Sequence, residues 1–266
     1  MPKSALAYVP ESSWIHSLNP MTLITYVLTI TVLGLAVSQI WILALLFLMN
    51  IILVKSAKVL KNFMYMFVRV TLPIVIPLLI VHTLFNNAGV TILYQVGPLK
   101  VRYEGLMFAL NIIFRLLPLL SAYFLFVLVV SPRRLMIALY DRGVSAKIGY
   151  LVLSTLQLVP YIEQTAQRIL DAQRSRGLSL KGSLIKRFKS YLPLITPVVV
   201  GGFSSLEIRA MAIEVRGISI KTKRIYLTQV PDRKLDKILR WVIIASAVAL
   251  LVFSVVQKYF LVRSML

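Results

Sequence analysis

Two stretches of the chain end on the same pair of residues. Ala172-Gln-Arg-Ser-Arg-Gly177 and Ala212-Ile-Glu-Val-Arg-Gly217 each close a polar helical pattern with arginine followed by glycine. An arginine fork gives directional, bidentate bonds to carboxylates and carbonyls. Glycine just past a helix allows the left-handed turn that ends it. In the first segment Gln164, Arg168, Ala172 and Arg176 recur every fourth residue and share one stripe, while Ile162, Ala166 and Ile169 supply a less polar side. In the second, Arg209, Ala212 and Arg216 lie near one face, with Ile208, Met211 and Val215 near another. The small residues Ala172, Ser175, Ala210 and Ala212 beside long ones allow close helix crossing. Such arginines suit two roles: interfacial helices that meet lipid phosphate, or a docking surface for a soluble protein. Arginine at a defined helix end, in a unit that occurs twice, favours docking.

Other chemistry is thinly supplied. The chain has no cysteine, which excludes disulfides, thiolate metal sites and cysteine nucleophiles. Its two histidines, His16 and His82, are too far apart to suggest a metal cluster. No G-x-x-x-x-G-K-S/T loop occurs, so the chain does not bind ATP through a Walker site, and there is no G-x-S-x-G elbow. Asp141, Glu163, Asp171, Glu207 and Glu214 stand singly rather than in D-x-x-D pairs. A membrane enzyme acting on lipid or isoprenoid substrates would need such a pair to hold metal and phosphate. The ionisable residues within apolar runs are Arg69, His82 and Arg115. Arg69 is close enough to a lysine collar to snorkel. His82 falls near the outer surface, and Arg115, just ahead of Pro118, is placed to hold a bundle together or to face a partner. No cofactor is expected.

The elements that carry these residues are membrane helices. Of 266 residues, 59% are hydrophobic, and the mean hydropathy is +0.84, more apolar surface than a soluble domain of this size can bury. A bilayer core of about 30 Å needs about 20 apolar residues per helix. Met21–Val54 holds 34 residues without a formal charge, which fits two spans turning at Ser38-Gln39. Lys55, Lys58 and Lys61 form a basic collar, followed by a third span near Phe63–Phe85 and a polar link over Asn86–Glu104. The fourth span covers Gly105–Val130 and the fifth Trp241–Tyr259. The N-terminus lacks the order of a secretory signal, so the first span reads as a retained anchor.

The net charge of +21 reads as topology rather than nucleic-acid binding. Ser131–Arg240 carries twenty Lys/Arg against seven acidic residues. Placing that segment and the lysine collar inside satisfies the positive-inside rule, with the N-terminus also cytoplasmic. The segment is not polar throughout. Ile148–Val159 and Tyr191–Phe203 are apolar stretches too short to span, and each precedes a charged helical pattern. The expected construction is an apolar lead-in, a break at Pro160 or Gly201-Gly202, an amphipathic helix and a terminal Arg-Gly.

The paired endings resemble the two Ala-Arg-Gly signatures of the T component, the CbiQ/EcfT-like transmembrane protein, of energy-coupling factor (ECF) transporters. Tyr8-Val-Pro-Glu-Ser-Ser-Trp-Ile-His-Ser-Leu-Asn-Pro20 is similar to that family's N-terminal pattern, with Asn19 where aspartate is usual. Ser175 and Val215 replace the alanine of the usual triplet, and Gln157 stands where the family often has arginine. The resemblance covers nearly the whole chain.

It implies an all-α polytopic membrane protein of about five transmembrane helices plus two long cytoplasmic coupling helices that cross in an X. Residues 1–130 would hold the N-terminal spans, 131–238 the coupling region and 239–266 the last span. It implies that Ala172, Ser175, Arg176, Gly177, Ala212, Val215, Arg216 and Gly217 dock on two ABC-type ATPase subunits. Those would drive a separate substrate-binding membrane S component, for uptake of a vitamin or metal ion across a prokaryotic plasma membrane. The chain itself would be non-catalytic. An ordinary ABC permease would show a single coupling helix per chain, and the tandem speaks against it.

Overall fold

The computed structural model describes residues 8–85, 92–96, 99–177, 184–215, 217 and 230–263. In chain order these form α1 (Trp14–Ser17), α2 (Pro20–Ala36), α3 (Ile40–Ser56), α4 (Leu60–Phe85), β1 (Ile92–Val96), β2 (Leu99–Arg102), α5 (Tyr103–Val129), α6 (Pro132–Tyr140), α7 (Ala146–Ser175), α8 (Leu184–Val215) and α9 (Lys234–Arg263). The protein is an all-α polytopic membrane protein. Helices α4, α5 and α9 are long and apolar enough to cross a bilayer, and α2 and α3 are shorter apolar helices.

Local sequence sets the boundaries. Asn19 caps α2 through its side chain, which accepts from the Met21 amide, and Pro20 occupies the first helical position, where its missing N–H costs nothing. The chain leaves helical geometry over Val37, Ser38 and Gln39, so the long uncharged run does divide at its one polar break. Lys58 takes φ +59° in the turn from α3 to α4. The described part of the polar link is an antiparallel hairpin, β1 against β2. Paired strands satisfy the backbone of a short link that cannot support a helix.

Compact packing divides the chain into two units, one of Leu139–Gln229 and one of Ala7–Ala138 with Val230–Leu266. In the second unit α5 packs on α2, α3 and α4, and α9 lies along α2. Its centre holds Ile30, Leu33, Leu43, Phe63, Leu125 and Leu128, none more than 2% exposed. Phe63 stacks on Phe67 with ring centroids 5.2 Å apart, Phe67 on Phe47 at 5.6 Å, and Phe124 meets Phe67 edge-on at 6.2 Å. At the far end of α2, Arg115 of α5 donates to the Ser38 hydroxyl at 3.1 Å. Arg115 therefore ties a span to the α2–α3 turn. Arg69 donates to Tyr65 on its own helix at 2.7 Å, and His82 lies edge-on to Phe108 at 5.1 Å.

The first unit holds α7 and α8. Neither breaks where the sequence suggests. Helix α7 runs unbroken through Pro160, and α8 runs through Pro197 and Gly201-Gly202. A proline inside a helix removes one hydrogen bond, whereas ending and restarting the helix leaves four amides and four carbonyls to satisfy at the new ends. Helices of 30 and 32 residues absorb the smaller cost.

The apolar bundle also encloses a polar pair on α2 and α3. Tyr26 donates to Asn50 Oδ1 at 2.8 Å, and Asn50 Nδ2 donates to the Leu46 carbonyl at 2.9 Å, with Asn50 fully buried. Tyr26→Phe leaves the Asn50 oxygen unpaired among apolar groups. We expect it to destabilise the protein by about 1 kcal/mol, read as an earlier thermal unfolding in detergent. An unchanged transition would remove this pair from the contacts that hold the bundle.

Candidate functional site

Ser145 caps the start of α7 by accepting from the Lys147 amide, and α7 then continues to Ser175. Arg176 closes it at φ −88°, ψ 10°, its amide bonded to the Gln173 carbonyl at 3.1 Å. Gly177 follows at φ +93°, and its amide reaches the Arg174 carbonyl at 3.0 Å. A Cβ on Gly177 would meet nothing within 4 Å, so the backbone conformation alone requires glycine. Helix α8 ends at Val215, and Gly217 takes φ +67° with its amide on the Glu214 carbonyl at 2.9 Å. Arg216 lies outside the described residues. Both ends are thus built alike, on a positive-φ glycine two residues beyond the last helical residue.

Ala172, Ser175, Arg176 and Gly177 are exposed, as is Ala212, and Val215 is 88% exposed. Ser175 Oγ donates to the Asp171 carbonyl at 3.1 Å, and Arg174 pairs with Asp171 at 3.4 Å on an open surface. Such an exposed pair contributes little stability. It keeps Arg174 on its own helix, while Arg176 is exposed at the helix end.

The two helices meet at Tyr161, whose hydroxyl lies 2.9 Å from Ser205 Oγ. Ser205 already donates its single proton to the Gly201 carbonyl at 2.9 Å, so Tyr161 is the donor to Ser205. One turn further along α8, Arg209 sits over the Tyr161 ring, 5.5 Å from its centroid. Beside this contact runs a groove of about 550 Å³ lined by Glu163, Ala166, Gln167 and Leu170 from α7 and Ile195, Val198 and Val199 from α8. Going toward the C-terminus on α7 therefore means going toward the N-terminus on α8. The helices cross antiparallel, and their Arg-Gly ends point away from each other. At 1.5 Å per residue, Ser175 lies about 21 Å from Tyr161 along α7, and Val215 about 15 Å from Ser205 along α8.

A second group of polar residues lies in the other unit, and the sequence pointed to only half of it. His16 Nε2 donates to the Val9 carbonyl at 3.2 Å, since that carbonyl can only accept, so Nδ1 accepts from the Ser13 hydroxyl at 2.8 Å. Arg134 donates to the carbonyls of His16, Ser17 and Leu18, at 3.4 Å and 3.1 Å for the last two. The Asn19 amide donates to Asp236 Oδ1 at 2.9 Å, and Thr22 Oγ1 donates to the same oxygen at 3.3 Å. Asp236 is 2% exposed at the start of α9 and faces the positive end of the α2 dipole. Both partners were hidden by distance. Arg134 reads as one more charge in a basic run, and Asp236 is 217 residues from Asn19.

The fold and its paired helix ends define a polytopic helical membrane protein that carries two long helices with similarly built C-terminal ends. A family model described as "Cobalt transport protein" (CbiQ) matches residues 11–225. Three relatives are each described as "Energy-coupling factor transporter transmembrane protein EcfT". That of Thermosediminibacter oceani is 30% identical over 79% of this chain and 82% of its own, and that of Leuconostoc gelidum 28% identical over 87% and 89%. That of Bacillus subtilis is 28% identical over 79% and 82%. The chain belongs to the CbiQ/EcfT family of T components of energy-coupling factor transporters.

Two outcomes follow for the second group. Burial, reinforced by the nearby Arg134 guanidinium, lowers the His16 pKa from its ordinary 6.5, although the Val9 bond works the other way. A lowered histidine pKa means that the unfolded chain binds the proton more readily. The His16 contribution is therefore complete above pH 6.5 and is lost as pH falls below it. Thermal unfolding followed from about pH 8 to about pH 5 should show this loss, and His16→Gln should flatten that part of the profile. Separately, Asp236→Ala strips the Asn19 amide of its acceptor. We expect a loss of about 2 kcal/mol, with faster amide exchange at the start of α2, and unchanged exchange there would contradict the assignment.

Proposed function

We propose that the two Arg-Gly ends dock on two ABC-type ATPase subunits at the cytoplasmic face. Helices α7 and α8 then act as coupling helices, passing ATP-driven motion to a substrate-binding membrane S component. The imported substrate is a micronutrient, a vitamin or a metal ion. In this reading residues 131–238 and the N-terminus are cytoplasmic, in keeping with the lysine and arginine bias. ATP hydrolysis belongs to the partners, since this chain has no Walker loop of its own.

The observation that carries the reading is the antiparallel crossing at Tyr161 and Ser205. It sends two similarly built helix ends in opposite directions, far enough apart to engage two separate protein subunits. Arg176 and Arg216 are the anchors, with Ala172, Ser175, Ala212 and Val215 forming the contact around them. Gly177 and Gly217 turn the backbone away from the partner. The open apolar surface of Phe203, Leu206, Ile208 and Met211 suits a protein neighbour better than water.

The test is co-expression with candidate ATPases and purification through a tag on this chain. Arg176→Glu combined with Arg216→Glu should reduce ATPase recovery at least tenfold, roughly the effect of replacing a charge-assisted bond at each end with repulsion. Membrane insertion should be unaffected. Full recovery of the ATPases with the double variant would rule out docking by these arginines.

A further inference from the structure

Resting on the coupling role just proposed, we infer that Tyr161 is the fulcrum on which α7 and α8 turn. Its hydroxyl bond to Ser205 and its ring contact with Arg209 fix where the helices cross while leaving the crossing angle free to change.

Three observations lead there. First, among the described residues the polar contacts that join α7 to α8 fall on one side chain, Tyr161. Ser205 and Arg209 are one helical turn apart, so they take hold of the phenol at its hydroxyl and over its face. Second, apolar packing around this point is sparse. Ile162 is 41% exposed and Phe203 69%, and Val199 and Val200 remain open at 46% and 59%. Interlocked ridges and grooves fix a crossing angle, and they are lightly developed here. Third, the helices are not closed against each other beyond the contact. The groove flanking it on the Arg176 side is about 550 Å³, with Ala166 on its α7 wall. A gap bounded by a small side chain leaves room for the helices to close.

A contact of this kind behaves differently from a packed seam. One hydrogen bond and one cation–π contact tolerate rotation of tens of degrees about the phenol, but not sliding along it. The arms on either side make small rotations large. A change of about 10° at Tyr161 moves the end of α7 by about 4 Å, given its length of about 21 Å beyond the contact. Without the fulcrum, force applied at one Arg-Gly end slides one helix along the other and is lost. Tyr161, Ser205 and Arg209 are thus positioning residues for the transmission of motion rather than contact residues for any partner.

The experiment uses the complete transporter, with both ATPases and the S component, reconstituted into liposomes. Substrate uptake and ATP hydrolysis are measured together, with ATPase recovery as a third readout. Tyr161→Phe keeps the ring under Arg209 and removes only the hydroxyl bond. Ser205→Ala removes the same bond from the other side, and Ser205→Thr restores an acceptor. We expect Tyr161→Phe and Ser205→Ala to keep the ATPases bound and to lower uptake per ATP about fivefold, the population change that one lost hydrogen bond produces. Ser205→Thr should return most of it. Unchanged uptake per ATP in both variants, with the ATPases retained, overturns the fulcrum. Parallel loss of ATPase recovery and uptake also overturns it, because Tyr161 would then be a brace for the docking ends. The docking reading itself fails only if Arg176→Glu with Arg216→Glu retains the ATPases, so the two failures are distinguishable.

Discussion

The bundle depends on one buried carboxylate. Asp236, at the start of the last helix, accepts from the backbone of Asn19 and the hydroxyl of Thr22. A buried charge without such partners would cost several kcal/mol. With them it meets the positive end of α2 and joins the beginning of the chain to its last span. Arg134 acts on the neighbouring turn, donating to the carbonyls of His16, Ser17 and Leu18. The chain leaves the bundle for the α7–α8 unit just after Arg134 and returns just before Asp236. Both points of passage are therefore fixed to the same short stretch, His16 to Thr22. Polar contacts therefore hold the bundle end of both connections to the intervening segment.

The two units are built on different principles. The bundle is held by shape, with stacked phenylalanines and leucines that leave little room for rearrangement. In the α7–α8 pair, direction replaces shape. A hydroxyl, a ring and a guanidinium mark one point of contact, and most of the neighbouring apolar side chains are open. The first arrangement keeps helices in register within lipid. The second marks one crossing point and leaves most of the surrounding apolar surface open.

The spans were legible because lipid imposes a length and an apolar composition that few other environments require. The same holds for the division at Ser38 and for Gly177 and Gly217, since a positive φ leaves a mark in the sequence. Other features left none. Pro160 and Gly201-Gly202 read as breaks because local preference disfavours them in a helix, but one lost bond is cheaper than two new ends. The paired strands Ile92–Val96 and Leu99–Arg102 are too short to stand out from a polar link in the sequence. Arg134 and Asp236 looked like two charges among many, because their partners are backbone groups far away in sequence. Tyr161 carries no sign in the sequence: its hydroxyl contact is with a residue forty-four positions away on another helix.

The antiparallel crossing has a consequence for symmetry. Two similar helices that cross in opposite directions are related by an approximate two-fold axis through their point of contact, here beside Tyr161 and Ser205. A single copy of the chain thereby presents two nearly equivalent C-terminal helix ends, each with the same polarity of backbone dipole and the same glycine turn. The unequal arms, about 21 and about 15 Å, make the axis approximate rather than exact. A dimer of like subunits, itself two-fold symmetric, would meet one such end on each half without a second copy of this chain. Two like helix ends within one polypeptide thus give an approximate symmetry of the kind that oligomers obtain from a second subunit.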